Sequence, residues 1–151
     1  MRLPVRAMIY TALLPIAVGC NSNVPETASL EIATLQVRVA IVRTATDPFL
    51  QRFNLTMNVQ GRGGCQSSTE LFPDTGYAGR RNVYLAAKGN IYVVGQYDAR
   101  VINPQNCQAN LTEFRHLDRD VIFLGSFDQD QAKQWKYVSA LQRQELPFEK
   151  R

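Results

Sequence analysis

The sequence comprises 151 residues, 45% hydrophobic and 20% charged, the length and balance of one globular domain with a single core. Its 17 Lys and Arg outnumber its 13 Asp and Glu for a formal net charge of +4, and two of those cations, Arg2 and Arg6, stand within the first six residues. A surplus this small, with no concentrated basic stretch, excludes a chain built around nucleic-acid binding.

Ala7 to Val18 is an apolar run of 12 residues behind Arg2 and Arg6. A membrane span needs ~20 such residues, so the run suits the h-region of an export signal. Ala17-Val18-Gly19-Cys20 then resembles the lipobox of bacterial lipoproteins, with Ala17 where leucine usually stands. The resemblance implies that residues 1–19 are a cleaved signal peptide and that Cys20 is the lipid attachment site, palmitate included. Several acyl chains give stable anchoring where one is marginal. Asn21, in place of the aspartate that favours inner-membrane retention, implies the outer membrane and its periplasmic face. Residues 20–29 are polar and aperiodic and read as a tether, leaving residues 30–151 as one periplasmic domain. In that oxidising compartment Cys65 and Cys107 are expected to form a disulfide.

Along the domain, Leu35, Val37, Val39 and Ile41 alternate with polar or small residues as in a half-buried strand, whereas Leu30 and Ile32 lie in the opposite phase. A bulge near Ala33-Thr34, or a later strand start, reconciles the two. Asp47-Pro48 suits a helix start, so Pro48 to Phe53 reads as one helical turn or as a loop. Phe53, Leu55, Met57 and Val59 alternate cleanly with polar residues, predicting a strand with one wet face. Gly61-Arg62-Gly63-Gly64 ends it and opens a long polar loop to Gly79, tied at its start by Cys65. Such loops inside compact domains carry function.

Val83–Ala87 and Ile91–Tyr97 flank Lys88-Gly89-Asn90 and predict a β-hairpin. A turn over 103–106 precedes Cys107. Asn110-Leu111-Thr112-Glu113 has capping-box spacing, which allows a short helix through Leu117 or a strand. Val121–Phe127 reads as a buried strand. Residues 129–145 are rich in helix formers, yet their apolar residues spread round a helix, whereas Trp135, Tyr137, Ser139 and Leu141 share a strand face. The pattern favours a strand paired with 121–127. The fold class is therefore all-β: an antiparallel β-sandwich or small barrel of about six strands, with one disulfide and at most short helices.

His116 is the single histidine, and Asp118 and Asp120 follow it closely. That pairing invites a small-hydrolase reading, but no nucleophile motif accompanies it, so no catalytic residue is assigned and no enzyme is expected. Asp128-Gln129-Asp130 opens like a calcium loop without its glycine or closing glutamate; neither a metal nor a cofactor is expected. Tyr and Arg are favoured at protein interfaces. Arg62, Tyr77, Arg80 and Arg81, in or beside the long loop, are therefore the candidate contacts for a periplasmic protein partner. An inhibitor or immunity protein acting on an enzyme or toxin is the leading expectation; a pilotin or accessory lipoprotein of a secretion or envelope-assembly complex is the alternative.

Overall fold

The computed structural model describes residues 24–47, 49–76 and 78–148. The signal, Cys20 and Tyr77 lie outside them. Among the described residues ten strands form two antiparallel sheets packed face to face, so the expected β-sandwich is found with more and shorter strands than the sequence suggested.

The first sheet is a meander of β1 (Glu26–Ile32), β2 (Val37–Ala45), β3 (Phe53–Gln60) and β4 (Gln66–Glu70). The phase change that suggested a bulge is a hairpin. The chain turns over residues 33–36, where Gln36 takes φ 55° and its N–H donates to the Ala33 carbonyl at 3.2 Å. Glu26 to Ser29, expected in the tether, already pair with β2. Among the described residues no helical turn follows Asp47; its Oδ1 instead accepts from the N–H groups of Phe49 (2.8 Å) and Leu50 (3.0 Å), the local bonding by which aspartate competes with helix.

The second sheet runs β10-β9-β5-β6-β7-β8. Its strands are β5 (Arg81–Ala86), β6 (Ile91–Val94), β7 (Ala99–Ile102), β8 (Ala109–Thr112), β9 (Val121–Gln129) and β10 (Trp135–Ser139). The predicted β5–β6 hairpin is present, and residues 135–139 are a strand antiparallel to β9. The capping-box segment is not an α-helix: β8 occupies 109–112, and only a single 3-10 turn, Phe114–His116, follows.

Alternation places Val37, Val39, Ile41, Leu55, Met57 and Val59 of the first sheet against Val83, Ile91, Val93, Ile102, Phe127 and Trp135 of the second. Trp135 is 5% exposed and donates Nε1–H to the Ile41 carbonyl at 3.0 Å, joining the sheets at the β1/β10 side. Across the sandwich, the Cys65–Cys107 disulfide joins the other side, with Cα atoms 5.7 Å apart. Gly63 and Gly64 make the turn into it at φ 76° and 79°, the left-handed region where glycine is unstrained.

A second, smaller cluster covers the outer face of the six-stranded sheet: Ala86, Tyr92, Val94 and Ala99 beneath Tyr84, Val121, Leu117 and Phe148. The C-terminal segment lies across it. Tyr84 donates to Glu145 Oε1 at 2.6 Å, and Asn82 Nδ2 donates to the Leu146 carbonyl at 3.4 Å. Burial, aided by Glu145, pushes the Tyr84 hydroxyl up to about 12; burial does the same for Tyr137, which donates to the Leu124 carbonyl at 2.7 Å. An unfolded tyrosine ionises near ~10. Both groups therefore add stability that is fully present below ~10 and is lost as pH rises through about 12. Alkaline melts should show a falling midpoint across that window, and Tyr84→Phe with Tyr137→Phe should flatten the fall; an unchanged slope in the double variant would count against this origin.

Candidate partner-binding surface

The segment expected to be one long loop, 61–79, is built in three parts. After the glycine turn, β4 gives it a paired strand, and residues 71–76 and 78–80 then close over the end of the sandwich where β1 begins. That last part is held by a buried ionic cluster. Arg43, 4% exposed, pairs with Asp74 Oδ2 at 3.5 Å and with Glu26 at 3.2 Å, and its guanidinium lies 3.4 Å from the Phe53 ring centroid. Asp74 also accepts from the Gly76 N–H at 2.9 Å, and its backbone bridges Phe53 in both directions at 2.9 Å.

Arg81 is the second fastener. It is 1% exposed and pairs with Asp98 at 3.4 Å. Its guanidinium donates to the carbonyls of Phe72 (2.5 Å), Gly79 (3.2 Å), Arg80 (3.1 Å) and Ala78. Burial pushes its pKa down, and the carboxylates of Asp98 and then Asp74 oppose that shift. Asp98 Oδ2 accepts from the Phe72 N–H at 3.0 Å, so one buried pair grips residue 72 from both its donor and its acceptor. Gly95 permits the approach: a Cβ there would come within 2.7 Å of the Arg81 guanidinium and 2.8 Å of Asp98. Gly95→Ala should therefore cost stability by forcing this cluster apart, as a thermal melt would show.

The expected contact residues separate accordingly. Arg62 is exposed in the short turn before Cys65. Arg80 is half-buried and committed to the C-terminal segment, donating to the Pro147 carbonyl at 2.6 Å and lying 4.8 Å from the Phe148 ring centroid. Arg81 is not a surface charge at all; its two terminal nitrogens serve internal carbonyls and Asp98, and its role is to shape the loop. Tyr77 lies outside the described residues.

What the fastened loop presents is aromatic. Phe72, 41% exposed, packs against Tyr97 with ring centroids 4.8 Å apart. Tyr97 in turn lines an open groove of about 720 Å³ with Leu111, Thr112, Phe114, Arg115 and His116. Leu111 is 66% and Phe114 49% exposed. The pairing of Arg100 with Leu111 puts Leu111 on the inner face of β8, but the four-stranded sheet leaves it uncovered.

β8 is also an edge strand. Asn103 N–H donates to Gln108 at 2.9 Å, so by antiparallel alternation Ala109 and Leu111 turn their N–H and C=O groups outwards. Among the described residues no hydrogen bond to those groups is found. On the same side of the sandwich the edge strand of the four-stranded sheet, β4, is screened: its side chains are polar, and Arg100 donates to the Glu70 carbonyl at 3.0 Å.

His116 sits exposed on the rim of this groove. The carboxylate of Asp118 accepts instead from Tyr92 at 3.1 Å. The two carboxylates of the calcium-like opening carry their own cations, Asp128 with Arg143 at 2.8 Å and Asp130 with Lys136 at 2.7 Å. The Lys136 ammonium holds the Asp130 carboxyl below its usual range. Among the described residues there is no cluster of three or more His, Cys, Asp or Glu placed to hold a metal. Sequence reasoning missed Phe72, Leu111 and Phe114; the signal was there in Leu111, the one large apolar residue of Ala109–Thr112.

The chain matches no protein-family model, no curated protein and no solved structure.

Proposed function

We propose that this chain is a lipid-anchored lipoprotein of the bacterial outer membrane whose periplasmic β-sandwich works by binding a protein, as an inhibitor or immunity protein against an enzyme or toxin. The observation that carries the binding reading is the aromatic groove of Phe72, Tyr97, Leu111 and Phe114 beside the open edge of β8. Exposed aromatic and aliphatic side chains next to unpaired strand groups offer both contact area and directed hydrogen bonds. A loop already fixed by Arg81 and Asp98 loses little freedom on association, so more of the contact energy appears as affinity. The lipobox resemblance at Cys20 supports the anchor and the periplasmic address.

The test is photo-crosslinking from position 114 in the protein's own envelope, followed by titration of the purified partner. A single hydrolase or toxin in the adduct is the expected result, and secretion or envelope-assembly components would favour the accessory reading. Leu111→Ala and Phe114→Ala should each weaken the purified complex by about 2 kcal/mol, roughly 30-fold, if they are interface anchors. Unchanged affinity in both would remove the groove from the interface.

A further inference from the structure

The end of the sandwich that carries the first described residues also carries an exposed apolar tip. Extending the β1–β2 register from Glu26↔Arg43 places Val24 beside Ala45, at the root of the β2–β3 loop. That loop is closed by the Thr46 N–H donating to the Arg52 carbonyl at 2.9 Å and by Ala45 pairing with Phe53. At its tip Phe49 is 93% and Leu50 50% exposed, and Val24 nearby is 61% exposed. Two bonds to Asp47 and one from the Arg52 N–H to the Leu50 carbonyl at 2.8 Å shape the tip without burying either side chain. Arg52 stands exposed beside them and lines an open cleft with Leu50, Gln51, Thr75 and Gly76.

From this geometry we infer a membrane-contact surface: Phe49 and Leu50 insert into the interfacial layer of the bilayer that holds the lipid anchor, and Arg52 meets its phosphates. The occupant follows from chain length. Only four peptide units separate Cys20 from Val24, a reach of at most about 14 Å even when fully extended. With Cys20 acylated, this end of the sandwich therefore cannot stand far from the headgroups. A bulky apolar pair flanked by an arginine is the composition that partitions into that layer, ring and aliphatic chain below, guanidinium at phosphate level. The contact fixes the sandwich upright, which turns the open edge of β8 sideways along the bilayer. The inference rests on the reading of Cys20 as the lipid-bearing residue.

Its test uses the full chain, exported and processed, reconstituted into phosphatidylethanolamine–phosphatidylglycerol vesicles with and without acyl-chain bromination. Phe49→Trp introduces a reporter at an exposed position, and Trp135, buried in the core, supplies the baseline in the unaltered protein. Flotation with the vesicles, a blue-shifted emission and loss of the Phe49→Trp signal on brominated lipid are the expected results, with the unaltered protein unquenched. Flotation with a water-exposed, unquenched reporter would leave the anchor standing and overturn the contact. Failure to float would overturn the anchor reading, and the contact with it. Leu50→Trp repeats the measurement on the neighbouring residue and should quench in the same way.

Discussion

Arg81→Met should lower the stability of the domain by about 3 kcal/mol, because it takes from the buried Asp98 the nearer of its two cations and leaves only Arg100 at 4.0 Å. Methionine keeps most of the side-chain volume, so the loss reports the guanidinium and not a cavity. Four carbonyls also lose their donor, that of Ala78 in a buried bond and the other three in partly buried ones. A fall in Tm on the order of 10 °C or more should accompany it. Adding Asp98→Asn should restore part of the loss by removing a buried charge whose nearer cation is gone, a coupling that a double-mutant cycle reads directly. If Arg81→Met melted like the parent, the guanidinium would not be holding the loop. Hydrogen exchange should locate the remaining effect, with amides of the 71–80 segment losing protection first. Any weakening of a partner complex by Arg81→Met should then act through loop disorder, in contrast to Phe114→Ala, which removes a contact surface from an intact fold.

Breaking the Cys65–Cys107 disulfide should cost up to about 4 kcal/mol, the chain-entropy figure for a cross-link of this span; the two cysteines are separated by 42 residues. The bridge is the covalent tie on its side of the sandwich, where Ser67 Oγ–H also donates to the Cys107 carbonyl at 2.5 Å. Sheet packing at the β1/β10 side, by contrast, has Trp135 to hold it. Denaturant midpoints of the oxidised protein and of Cys65→Ala/Cys107→Ala should therefore differ widely with similar slopes. Coincident midpoints would show that the free ends of β4 and β8 stay together unaided. Because β8 carries the groove, the reduced protein should also lose affinity for the proposed partner more steeply than its change in global stability alone would produce.

Much of the fold was legible because strand formation leaves a period-two trace. Phe53 to Gln60 alternates without interruption and is β3, and Trp135, Tyr137 and Ser139 share a face, so the strand reading of a helix-rich composition was the right one. Misreadings fell where two local patterns fit equally well. The opposite phases of Leu30–Ile32 and Leu35–Ile41 fit a bulge or a hairpin until the pairing is known. Asn110 to Glu113 has the spacing of a helix cap, but Ala109–Thr112 instead finds β7 waiting as a partner, and tertiary pairing overrides so short a local preference.

The sequence by itself determined the all-β class, the hairpin at 88–90, the strand at the C-terminal end and the pairing of Cys65 with Cys107, since each depends on residues close in the chain or on a simple count. Only the tertiary structure decided which of these residues are exposed. Arg81 and Arg62 look alike as letters beside a loop. One is sealed beneath Gly95 and spent on Asp98 and four carbonyls, and the other stands in water. Phe72, Leu111 and Phe114 look like core residues and are exposed, Leu111 because a four-stranded sheet does not cover the six-stranded one to its edge, and Phe72 and Phe114 because they stand in connections outside the strands. Exposure is a property of what packs on a residue, and that is written in segments distant along the chain.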